Sequence, residues 1–172
     1  RAAEKLCIAQ PPLSRQIQEL EAELGIPVFS VPTSGMHDYV YGAGLALAEI
    51  AERFTGDIGE RTVQPHTVNL LGVTPLDFGP QPGVDLMKKN LEAQGVKVLS
   101  TWAMGSSTEE MRGAGDAEVN LVVSSVGIPA ANVLQKKFGT PFVVGTPLWG
   151  YESVCAGTAR EMAEARKQAG DR

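Results

Sequence analysis

The segment GSSTEE, Gly105–Glu110, sets two serines three residues ahead of two glutamates. Ser106 with Glu109, or Ser107 with Glu110, fits a capping box, in which hydroxyl and carboxylate satisfy free N–H groups at a helix start. The same geometry can hold an anion or a cofactor carboxylate, because backbone donors there point outward. We read it first as a helix cap, the commoner role of such serines. Trp102 and Trp149 are large enough to wall a pocket for a flat ligand or a cluster, though aromatics of that size more often fill core edges. His37 and His66 stand singly in loops, with no second ligand at metal spacing, and are read as surface or structural residues. Cys7 and Cys155 lie far apart and form no C-x-x-C, so neither a disulfide framework nor a closed metal site is signalled. Asp77 and Asp85 have no obvious partner in sequence for acid–base work.

The elements that must position these groups follow from periodicity. Short apolar runs at 27–31, 68–73, 96–101, 120–124 and 141–145 read as strands, nearly continuous as in a sheet covered on both faces. Between them Ala43, Leu47, Ile50 and Phe54 stripe one helix, Val84, Met87 and Leu91 another, and Ala130, Leu134 and Phe138 a third. A last helix is expected over about 153–168, and 55–67 reads as the linker. Alternation of this kind predicts an α/β class, a Rossmann-like or flavodoxin-like parallel sheet flanked by helices, preceded by a short helical pair. In that pair, a helix near 11–24 carries Leu13, Ile17, Leu20 and Leu24 at i, i+4, i+7 and i+11 and stops at Gly25. The stripe is expected to pack on the sheet, with Arg15 and Gln18 outward.

Bulk properties narrow the function classes. The 172 residues are 43% hydrophobic and 20% charged, enough for one domain with a sizeable core. A formal charge of −5 gives no general attraction to nucleic acid or to anionic membrane. No run approaches the roughly 20 apolar residues of a membrane helix, and the first residues are too polar for a secretory signal. The expectation is a cytoplasmic protein without membrane contact. The chain starts without methionine, and we take it as a fragment or chimera.

The opening RAAEKLCIAQPPLSRQIQELEAELG resembles the helix-turn-helix of LysR-type transcriptional regulators. That resemblance implies that Gln10, Ser14, Arg15 and Gln18 face the major groove, where amide and guanidinium groups read base edges. Against a DNA role, Arg1, Lys5 and Arg15 are outnumbered by Glu4, Glu19, Glu21 and Glu23, and phosphate neutralisation carries most affinity. DNA is therefore the partner only under this alternative reading.

A second resemblance rests on GIPVFSVPTSGMHDYVYGAGLALAEIAERF, TVNLLGVTPLDF and the stretch from WAMGSSTEEMRG to VVGTPLWG. Together they are similar to nitrogenase component 1 type oxidoreductases, the family of molybdenum–iron protein subunits, their cofactor-assembly relatives and dark-operative protochlorophyllide reductase subunits. The resemblance divides the chain into a LysR-like fragment, 1–25, and a nitrogenase component 1-like α/β domain, 26–172. It implies a redox-cluster or tetrapyrrole scaffold that forms a homo- or hetero-oligomer with nitrogenase-like subunits and is inactive alone. It also implies that the catalytic nitrogenase subunit's cofactor cysteine falls at Ser124, and its glutamine and histidine at Tyr41 and Leu45. An alcohol is a poor soft-metal ligand beside a thiolate. No cofactor is expected in the isolated chain, and an iron–sulfur or related metal cluster is expected in the intact assembly. Any ligand role left to this chain should fall at the strand ends, at Trp102, Gly105, Ser106, Ser107, Ser124 and Gly127.

Overall fold

The structure, a computed structural model, describes residues 10–24, 31, 33, 35–57, 59, 61–146, 164 and 167. The first described helix, α1, spans Gln10–Leu24, close to its predicted bounds. Its packing differs from expectation. Leu20 is 41% exposed and Ile17 only half-buried, so the described part of the apolar stripe is not sealed against the sheet. Arg15 is outward as expected, its guanidinium paired with Glu19 one turn on at 2.9 Å. The side chains of Leu13 and Leu24 lie outside the described residues. So does the strand expected at 27–31, save Val31, which is not in a strand.

The α/β core follows. Helix α2 (Tyr39–Arg53) starts at Asp38, whose carboxylate accepts from the Tyr41 N–H at 2.9 Å. Strand β1 (Gln64–Leu71) is succeeded by a single turn, α3 (Pro75–Phe78), and by α4 (Gln81–Glu92). Then come β2 (Lys97–Thr101), the short α5 (Thr108–Arg112) and a 3-10 turn at Gly113–Asp116. Strand β3 (Ala117–Val122), a 3-10 turn at Ser125–Gly127, α6 (Ile128–Phe138) and β4 (Phe142–Val144) complete it. Proline opens α4 and α6 within the first turn, where its missing N–H costs nothing. Gly139 closes α6 in the left-handed conformation, its N–H on the Gln135 carbonyl. Of the expected last helix only Glu164 and Lys167 are described, both helical and exposed.

All described strand pairs are parallel, in the order β2-β1-β3-β4. Both faces are covered, which explains the near-continuous apolar runs. On one face Val68, Leu70, Val119 and Leu121 meet Val84, Met87 and Leu91 of α4. On the other, Leu71 and Val122 meet Leu47 and Ala51 of α2 and Ala130, Leu134 and Phe138 of α6. Each fully buried leucine there is worth about 1.5–3 kcal/mol. Gly44 permits the close approach of α2 to α6, since a Cβ would sit 3.0 Å from the Pro129 ring. Two strands are displaced from their expected bounds. β1 begins four residues earlier, and β3 covers Ala117–Val122 rather than 120–124, which leaves Ser124 beyond the strand.

Candidate functional site at the carboxyl edge of the sheet

The chain leaves β1 for β2 on one side and returns to β3 on the other, so the order reverses between β1 and β3. Ligands of open α/β sheets bind outside the strands' carboxyl ends at such a switch point. Here that place is built from the loops after β1, β2 and β3 and from the start of α2.

Between β1 and β3 the backbones meet directly. A Cβ on Gly127 would lie 2.6 Å from the Leu71 carbonyl carbon, and one on Gly72 would lie 2.8 Å from the Gly127 nitrogen. Only glycine allows that approach, and Gly72 also has φ +84. Ser124 donates its hydroxyl to the Gly72 carbonyl at 2.8 Å and clasps the two loops. Three residues past β1, the Thr74 hydroxyl donates to the Asp77 carboxylate at 3.1 Å and is in turn hydrogen-bonded to the Tyr39 phenol from α2. Beside these groups Tyr41 is exposed and His37 stacks on it, ring centroids 4.1 Å apart. Leu45 is half-buried.

The loop after β2 contains the serines singled out from sequence. The capping box is the Ser107–Glu110 pair: the Glu110 N–H donates to Ser107 Oγ at 3.2 Å and the Ser107 N–H to the Glu110 carboxylate at 2.9 Å. Ser106 instead accepts from the Thr101 N–H at 2.6 Å and folds the turn back on β2. Ala103 and Gly105 both take positive φ, +73 and +97, and the Gln81 side chain lies against Gly105. The neighbouring Glu109 carboxyl is held below its ordinary range, first by its own backbone N–H and then by the Thr108 hydroxyl.

Trp102 departs from the expected pocket wall. It is fully buried, and its indole N–H donates to Ser100 Oγ at 2.9 Å. That bond belongs to a network the sequence reading missed. Ser100 donates to Asn69 Oδ1 at 2.7 Å, and Asn69 Nδ2 donates to Asn120 Oδ1 and to the Ala114 carbonyl, each at 2.8 Å. Ser100, Asn69 and Asn120 are register partners on β2, β1 and β3, so one polar row crosses three strands inside the core. Asn120 Nδ2 is buried with no hydrogen-bond partner. The signal was a polar residue midway along each apolar run. Asp77 and Asp85, unpaired in the sequence reading, are held by Thr74 and by Gln81.

Gly105, Ser106, Ser107, Ser124 and Gly127 thus share the carboxyl edge, while Trp102 lies beneath it. Among the described residues no group of three or more His, Cys, Asp or Glu side chains is placed to hold a metal ion. Cys7, Cys155 and Trp149 lie outside the described residues. The Ser124 hydroxyl is an alcohol committed to Gly72, so this donor set does not fit a metal cluster. No helix of the described residues is long and apolar enough to cross a membrane.

Comparison with known proteins agrees with this architecture. The family model for the nitrogenase component 1 type oxidoreductase matches residues 8–169, starting within the stretch that resembles a regulator. A light-independent protochlorophyllide reductase subunit from Chlorobium luteolum is 29% identical over 142 residues, covering 79% of this chain and 26% of that protein. Its counterpart in Zygnema circumcarinatum is 32% identical over 97 residues, covering 56% of this chain and 19% of its own length. The chain thus spans about a quarter or less of these relatives. A shorter match of 26 residues, 15% of this chain and 9% of that protein, is 85% identical to the HTH-type transcriptional regulator BenM of Acinetobacter baylyi. Among solved structures, "Nitrogenase Cp1 at pH 6.5" superposes with a TM-score of 0.68 at 21% identity, over 92% of this chain and 31% of that one. The match from residue 8 to 169 takes in nearly the whole chain, which belongs to the nitrogenase component 1 type oxidoreductase family.

Proposed function

We propose that this chain is one α/β domain of a nitrogenase component 1-like oxidoreductase, a scaffold for a tetrapyrrole or redox-cluster reaction carried out with partner subunits in the cytoplasm. The observation that carries the reading is the family match across the chain, joined to relatives named as subunits of a light-independent protochlorophyllide reductase. The site lies at the carboxyl edge, where Gly105, Ser106 and Ser107 follow β2 and Ser124 and Gly127 follow β3. The chain's part is to shape and hydrogen-bond the ligand's surroundings. An iron–sulfur or related cluster belongs to the intact assembly, since the switch point of this chain offers the hydroxyls of Ser124, Thr74 and Tyr39 and not soft donors. The isolated chain is inactive.

Transplantation tests this. Residues 26–172 should replace the matching region of the Chlorobium luteolum relative and leave measurable light-independent protochlorophyllide reduction in the assembled enzyme. An assembled but wholly inactive hybrid would refute the assignment.

A second reading is favoured by the short match to a transcriptional regulator. Under it, residues 1–25 read DNA through Gln10, Ser14, Arg15 and Gln18, in a chimera of a regulator fragment with the oxidoreductase domain. Arg15 and Gln18 are exposed on α1, but Arg15 is engaged by Glu19. Sub-micromolar, sequence-dependent binding in an anisotropy titration at physiological salt would establish this reading, and its absence would remove it.

A further inference from the structure

The Tyr39–Thr74 contact crosses from the start of α2 to the end of β1 at the switch point itself. Thr74 is 6% exposed and gives its single hydroxyl proton to Asp77. Its oxygen is then left as an acceptor, and the phenol must be the donor in the Tyr39–Thr74 bond. Tyr39 itself is 37% exposed although its hydroxyl is engaged on the buried Thr74. Beneath it the β1 and β3 loops are already closed on one another by Gly72, Gly127 and the Ser124 clasp.

We propose that Tyr39 is a latch and an internal stand-in for ligand. Its phenol O–H occupies the acceptor position on Thr74 that an O–H or N–H donor of a bound molecule would take, and its departure opens the loop after β1. The ligand part rests on the site assignment above, whereas the latch rests on geometry alone. The loop is suited to such opening. In it the Asp77 and Phe78 N–H groups share the Thr74 carbonyl and Leu76 stands 72% exposed, while Val73 and Phe78 pack on the core and anchor its two ends, so it is the turn between them that opens.

Hydrogen–deuterium exchange of the whole chain tests the latch without any ligand. Tyr39→Phe and Thr74→Val should each speed exchange of amides 72–79 by about fivefold, the factor for one net hydrogen bond, with β3 and α6 unchanged. Tyr41→Phe, which removes a neighbouring phenol outside the latch, should change nothing. Unaltered exchange at 72–79, or equal acceleration throughout the sheet, would overturn the latch. The stand-in role is read with millimolar 4-methylphenol added to Tyr39→Ala. Protection at 72–79 should return with 4-methylphenol and not with toluene, and Thr74→Val in the same background should abolish the return. Equal effects of the two compounds, or none from either, would overturn the stand-in role and leave the oxidoreductase assignment to the transplantation result.

Discussion

The two edges of the sheet are fastened by different chemistry. At the amino edge, cations hold carbonyl oxygens. Arg61 donates to the Gly115 carbonyl at 2.7 Å, to the Phe138 carbonyl at the end of α6 and to Thr140 Oγ1 at 3.2 Å. Burial lowers its pKa, partly offset by Asp116. Lys137 donates to the carbonyls of Glu52 and Thr55 at 2.9 and 3.0 Å, where α2 ends, so a positive charge sits at the negative pole of that helix. At the carboxyl edge hydroxyls do the fastening, from Ser106, Ser124, Tyr39 and Thr74, the last donating to the Asp77 carboxylate, over a direct contact of glycine backbones. Charged clamps fix helix ends firmly and offer little to a ligand. Hydroxyl contacts can exchange an internal partner for an external one at small cost. The difference places rigidity at one edge and adaptability at the other.

The contact of the β1 and β3 loops should show the largest effect. Gly127→Ala puts a methyl group against backbone atoms of Leu71 and Gly72 that cannot rotate away, and should destabilise the chain by about 3 kcal/mol in urea unfolding. A loss below about 1 kcal/mol would mean that this edge yields even in its backbone. Next come the fastenings themselves. Arg61→Ala strands carbonyls at Gly115 and Phe138 and should cost about 2 kcal/mol, whereas Ser124→Ala gives up one neutral bond and should cost about 1 kcal/mol. Equal losses would erase the contrast between the edges.

How much of this was legible in sequence depended on whether a feature is local. Periodicity found the helices at Tyr39–Arg53, Gln81–Glu92 and Ile128–Phe138, because each carries its own stripe, and it found strands at β1, β2 and β4. Edges slipped at β3, since Val123 continues the apolar run although pairing stops at Val122. The burial of Leu20 was misjudged because an apolar stripe says which residues share a face, not what covers that face. Ser107 was legible as a cap through Glu110 three residues on, but its neighbour's bond to Thr101 depended on a turn of unusual backbone. Groups that meet across the sheet were invisible one at a time. Thr74 and Tyr39 lie 35 residues apart, and Asn69 and Asn120 lie 51.

At the carboxyl edge the capping box should show an effect no larger than that of Ser124. Ser107→Ala removes the acceptor for the Glu110 N–H and should cost about 1 kcal/mol. Glu109 in the same turn has a pKa lowered in the fold, so its contribution is present above the unfolded value and fades as pH falls through the folded one. A carboxyl carbon titration by NMR should therefore place its midpoint below the ordinary 4.5. A midpoint at or above that value would show that the turn does not hold the charge.

The smallest effect separates strain from function at the two edges. Ala103 after β2 and His66 at the start of β1 are the described non-glycine residues with positive φ, +73 and +59. A left-handed residue with a Cβ costs about 1–2 kcal/mol, and glycine removes that cost while adding about 0.5–1 kcal/mol of unfolded-chain entropy. Ala103→Gly should therefore stabilise the chain by about 0.5 kcal/mol. His66 carries more than its conformation. Its N–H donates to the Glu118 carboxylate at 2.6 Å, a backbone bond that glycine would keep, and histidine tolerates the left-handed region better than alanine. His66→Gly should be close to neutral. The pair thus predicts relief at the carboxyl edge and none at the amino edge, readable as a rise in Tm for one variant and no shift for the other. A gain at His66 as large as that at Ala103 would mean that backbone strain is not particular to the edge where ligand is expected.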